Sequence, residues 1–87
     1  DKKFTVTHDG KSINFGAKGY SDYTIHKDHE RKLRYDNRHK ARERENWKDL
    51  SKAGAWAKYV LWNKPSLTDS IRDMEHRFKI RIIYISW

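Results

Sequence analysis

The chain has 87 residues, with 20 Lys and Arg against 12 Asp and Glu, a formal net charge of +8, 36% hydrophobic residues and no cysteine. This length bounds it to one small domain, residues 1–87, or part of one. The missing cysteines exclude a disulfide scaffold and a thiolate metal site. No apolar run approaches the ~20 residues of a membrane-spanning helix. High charge and low hydrophobicity are the signature of disorder. The aromatic content argues against it: four Trp, five Tyr and three Phe make up 14% of the chain. A domain this short buries only about 60% of its unfolded surface, so these large side chains must supply most of the core. The chain opens on Asp1, which leaves room for residues upstream, and no signal-peptide pattern is visible.

Phe4, Val6, Ile13 and Phe15 alternate with polar residues on either side of Asp9-Gly10. Asp-Gly favours a type I′ turn, in which both central residues take positive φ, so residues 3–16 are expected to form a β-hairpin. Gly16 and Gly19 end the pattern, and residues 19–22 read as a loop. Residues 28–45 contain no Gly or Pro and are dense in Arg, Lys and Glu. Asp28 and Glu30 stand where a helix dipole favours negative charge, and Glu30/Arg34 and Asp36/Lys40 are helical i,i+4 pairs. Leu33, Tyr35 and Ala41 make only a thin apolar edge. The expectation is a helix with a broad solvated face.

Residues 51–63 reverse that character. Ser51 is a candidate cap, and Trp56, Tyr59, Val60, Leu61 and Trp62 spread apolar surface around most of the circumference, as in a buried helix. Lys64-Pro65 ends it. Ser66 followed by Asp69 resembles a capping box, and Leu67, Ile71, Met74 and Phe78 recur at steps of 4, 3 and 4 in a second core helix, residues 66–79. Residues 80–86 are β-branched and aromatic and read as a strand pairing with the hairpin. The expected fold class is α+β. A small antiparallel sheet, made of the N-terminal hairpin and the C-terminal strand, packs on about three α-helices, with the charged helix outermost.

Arg31, Arg34, Arg38 and Arg42 recur at steps of 3, 4 and 4 on one face of the charged helix, beside Tyr35 and His39. Guanidinium groups match phosphates bidentately, and each neutralised phosphate releases counterions. This ridge is the candidate nucleic-acid-binding surface. An acidic protein partner, or a solvated helix laced with ion pairs, would use the same residues. Trp47 and Trp87 are candidate anchors into a protein partner, since Trp is enriched at binding hot spots. His26, His29 and His39 match no standard zinc spacing, so no metal and no cofactor is expected. His26, Asn37 and His39 could serve a metal-dependent nuclease only if the fold brings them together. There is no phosphate-binding Gly-rich loop and no nucleophile elbow. The expectation is a protein that is not an enzyme.

Several segments together resemble a known family. They are residues 15–28 (FGAKGYSDYTIHKD), Arg31-Lys32 with Arg34-Tyr35 and Arg38-His39, Glu45-Asn46-Trp47, Ala53-Gly54, and residues 61–66 (LWNKPS). This order resembles small basic proteins encoded by nucleocytoplasmic large DNA viruses, including those of algae and amoebae. The resemblance covers residues 15–79. It implies a viral protein, associated with the virion or with the host nucleus or cytoplasmic viral factory, and nominates no catalytic residues. The partner would then be viral DNA or another polyanion, bound without sequence specificity. In the alternative, the chain is a minor capsid or other virion structural protein bridging acidic viral proteins.

Overall fold

The computed structural model describes residues 1–43 and 46–86; the side chains of residues 41–46 are not described. The hairpin forms from β1 (Lys2–His8) and β2 (Lys11–Ala17). Asp9 and Gly10 sit at φ 51° and 75°, the positive values that a type I′ turn requires. That turn sets the register, which places Phe4 opposite Phe15 and Val6 opposite Ile13. All four side chains are buried on one face of the sheet. Phe4 stacks on Phe15 at 5.5 Å between ring centroids, and Phe15 on Trp56 at 6.2 Å.

The C-terminal strand, β3 (Tyr84–Ser86), pairs antiparallel with β1, so the sheet order is β2-β1-β3. It is shorter than the expected 80–86. The preceding backbone bonds to a helix instead: Ile80 N–H donates to the Glu75 carbonyl, and Ile82 N–H to Glu75 Oε2.

Among the described residues, four α-helices follow the hairpin. They are α1 (Tyr23–His26), α2 (His29–Glu43), α3 (Ala53–Trp56) and α4 (Leu67–Phe78). A 3-10 turn, Asn46–Lys48, lies between α2 and α3. The expected core helix over 51–63 is shorter and irregular. Asp49 Oδ1 accepts from both the backbone N–H and the hydroxyl of Ser51. Ser51 is therefore held in a local turn rather than capping a helix, and α3 starts at Ala53 with no side-chain cap. From Ala57 to Leu61 the chain continues as a π-helical turn. Its burial follows the sequence: Trp56, Val60 and Leu61 lie in the core, and Trp56 Nε1–H donates to the Leu50 carbonyl at 2.8 Å.

α4 follows expectation closely. Ser66 Oγ accepts from Asp69 N–H at its start, Lys79 closes it in the left-handed conformation, and Met74 is fully buried. Leu67, Ile71 and Phe78 pack half-buried around the same core. The buried hydroxyl of Ser70 accepts from Lys64 N–H and donates to the Lys64 carbonyl, tying the 62–66 connection down onto α4. This fixes where Trp62 emerges, on the side of the core that faces α2. The architecture is α+β, as expected.

Candidate nucleic-acid interface

The outermost helix is anchored by its acidic residues. Asp28 Oδ1 accepts from the backbone N–H groups of Glu30 and Arg31, satisfying donors that a helix N-terminus otherwise leaves open. Asp36 takes a 2.7 Å ion pair with Lys58 in the π-helical turn, both side chains largely buried. These two carboxylates are thus committed to capping α2 and to fastening it to the body. The guanidinium groups of Arg31, Arg34 and Arg38 are exposed and form no ion pair among the described residues. The described part of the helix therefore presents three unpaired guanidinium groups, with the exposed Glu30 four residues before Arg34. Arg42 lies within α2, but its side chain is outside those described.

Tyr35 requires a correction. As a candidate contact to nucleic acid it was expected beside the ridge, yet it is only 7% exposed. The reason is geometric: on α2 the residue has a single large ring on the face turned towards Trp62. The two rings stack at 4.2 Å and 3° between planes. His39 stacks on Tyr35, also at 4.2 Å. Two rings at that separation from Tyr35 must occupy its opposite faces, so Tyr35 is the middle of a column and has no free face for a base. His39, half-buried, caps the column. His26 packs on Trp62 at 5.3 Å.

Between α2, the end of β2 and Trp62 runs a groove of about 470 Å³. Arg31 and Arg38 line it from α2, Lys3 and Gly16 from the hairpin, Tyr20 from the loop after β2, and Trp62 from the helical side. Its floor carries Asp22, 2% exposed, whose carboxylate is saturated. Oδ2 accepts from Lys3 Nζ at 2.6 Å, and Oδ1 accepts from Thr24 N–H and the Thr24 hydroxyl. Asp22 thereby caps α1, a short helix the apolar pattern did not reveal, since only four residues separate Asp22 from the left-handed Lys27. An Asp two residues before Thr24 was its one visible signal. Lys3 neutralises the floor, so the walls, with Arg31 and Arg38, set the sign of the groove.

Gly16 is what lets the hairpin approach so closely. It takes φ 75°, and a Cβ there would meet Leu61 Cδ1 at 2.9 Å. Tyr20 is held rather than free in position: its N–H donates to the Ala17 carbonyl across a turn with Gly19 at φ 86°. Its side chain is 74% exposed and makes no ring contact among the described residues.

The remaining candidates separate. His26 and His39 contact different rings, Asn37 is exposed, and the described residues contain no group of three or more His, Cys, Asp or Glu placed to hold a metal. His26 Nδ1 accepts from Asp28 N–H, which fixes the neutral tautomer with the proton on Nε2. Burial against Trp62 and Tyr23 holds its pKa below the ordinary 6.5, and the Arg31 charge lowers it further. Trp47, a candidate anchor, is half-buried with the Lys58 ammonium over its ring at 4.9 Å. Trp87, the other, lies outside the described residues.

Residues 1–39 match the model of a family of unknown function, DUF5754. The matched stretch holds the hairpin, the Tyr20 loop, α1 and the part of α2 that carries Arg31, Arg34 and Arg38. No curated protein and no solved structure matches the chain. No helix of the described residues is long and apolar enough to cross a membrane.

Proposed function

We propose that the protein is a non-enzymatic nucleic-acid-binding module that engages the phosphate backbone through Arg31, Arg34 and Arg38. The observation that carries this reading is the division of labour on α2. Asp28 and Asp36 are consumed in holding the helix, while the three guanidinium groups face solvent without a carboxylate partner among the described residues. Glu30, the acid four residues before Arg34 and so placed to pair with it on a helix, is exposed and forms no ion pair with it among the described residues. Instead the chain, with a net charge of +8, keeps a charged ridge on one side. Such a ridge attracts a polyanion from a distance and binds it by counterion release. Contacts of this kind position the protein on the backbone and carry no base sequence. In the virion setting implied by the viral resemblance, the ligand is the genome.

Charge reversal tests the proposal. The double variant Arg34→Glu/Arg38→Glu should lose retention of DNA in a mobility-shift assay at low salt while keeping the wild-type circular dichroism spectrum. Retention equal to wild type would refute it.

A further inference from the structure

The groove beside the ridge gives the interface a second component. We infer that it receives an unpaired nucleotide, with the base against Tyr20 and the flanking phosphates at Arg31 and Arg38, so that the protein prefers single-stranded to double-stranded nucleic acid. The inference rests on the reading of α2 as a phosphate-binding ridge and adds the form of nucleic acid it takes.

Three observations carry it. First, the groove's volume, about 470 Å³, lies in the range of small-molecule sites. It is open to a splayed nucleotide, whereas a duplex keeps its bases inside the stack. Second, the groove combines cationic walls with an unengaged aromatic ring, the combination by which proteins hold single strands. Arg31 and Arg38 stand two helical turns apart on α2, about 10 Å along its axis. Tyr20 faces the same cavity from the opposite strand-end loop. The other rings there are occupied: Tyr35 has rings on both faces, and Trp62 is stacked on Tyr35. Tyr20 alone among the groove's tyrosines is exposed, and the turn at Gly19 together with the buried Asp22 cap holds its backbone in place. A large exposed aromatic on a fixed backbone loses little conformational freedom when a base stacks on it. Third, Asp22, the one carboxylate lining the groove among the described residues, is saturated by Lys3 and Thr24 and so does not repel phosphate.

Fluorescence anisotropy with a labelled 12-nucleotide oligo-dT and a labelled 12-base-pair duplex, at equal salt, tests this. The probes separate the two components, because a purely electrostatic binder favours the duplex for its higher charge density. The full chain should bind oligo-dT at least about 5-fold more tightly than the duplex, the lower end of what one base stack contributes. Tyr20→Ala should abolish that preference and leave duplex affinity unchanged, and Tyr20→Phe, which keeps the ring, should retain it. Tyr20 is exposed, so neither change threatens the fold. Tighter binding to the duplex, or a preference that survives Tyr20→Ala, would overturn the inference and leave the ridge reading standing. No binding to either probe would overturn both.

Discussion

Removing a single guanidinium from the ridge should change the salt dependence of binding by a calculable increment. Arg34 is the residue to remove. It is exposed, lies outside the groove, and has no ion-pair partner among the described residues, so Arg34→Gln perturbs charge and little else. Each phosphate neutralised contributes about 0.7 to the slope of log K against log salt on a single strand and about 0.9 on a duplex. Three arginines therefore give a slope of about −2.1 to −2.7, and raising salt from about 50 to about 200 mM weakens binding roughly 20- to 40-fold. With two left, the slope falls to about −1.4 to −1.8 and the loss over the same range to roughly 7- to 12-fold. Anisotropy titrations at four salt concentrations resolve that difference. A wild-type slope near zero, or a slope that Arg34→Gln leaves unchanged, would refute the argument.

Three further outcomes follow from the packing. Asp22→Ala removes the α1 cap and strands the Lys3 ammonium, whose side chain is 16% exposed; breaking such a pair costs about 3–5 kcal/mol, readable in urea unfolding, and a loss under about 1 kcal/mol would contradict the role given to Asp22. Gly16→Ala should cost about 1–3 kcal/mol, since it adds a clash with Leu61 to the unfavourable φ. Gly10→Ala, at the same φ but in open space, should cost less, and equal losses would remove the case for close approach at Gly16. The NMR titration of His26 should give a midpoint below 6.5, and Arg31→Gln should move it back upward. A lowered folded-state value means that the unfolded chain takes up the proton more readily. His26 therefore contributes stability that is complete above pH 6.5 and is lost as pH falls through the folded-state value. A thermal unfolding series in which His26→Gln fails to flatten the decline below pH 6.5 would count against this.

Much of the framework was legible in the residue pattern because local chemistry dictated it. Asp9-Gly10 set the hairpin turn, the alternation of Phe4, Val6, Ile13 and Phe15 set its buried face, and Ser66 with the Leu67/Ile71/Met74/Phe78 stripe defined α4. What was not legible depended on partners distant in sequence. Tyr35 looked available for a ligand beside the arginines, but Trp62, 27 positions later in the chain, takes one of its faces. Asp36 looked like an i,i+4 partner for Lys40 and pairs with Lys58 instead. The strand propensity of residues 80–82 was overridden by the hydrogen bonds of Ile80 and Ile82 to Glu75, while the Ile83 carbonyl already accepts from Thr7 N–H of β1. The groove itself could not be read from spacing, because it joins Lys3, Tyr20, Arg31 and Trp62 from four separate segments.

The central claim is that the arginines of α2 contact phosphate. It is tested most directly by following the arginine Nε–Hε resonances of the labelled protein while oligo-dT is added. The account predicts shifts concentrated at Arg31, Arg34 and Arg38. Perturbation of Arg72, Arg77 and Arg81, with those three unmoved, would place the ligand on α4 and the chain after it and contradict it.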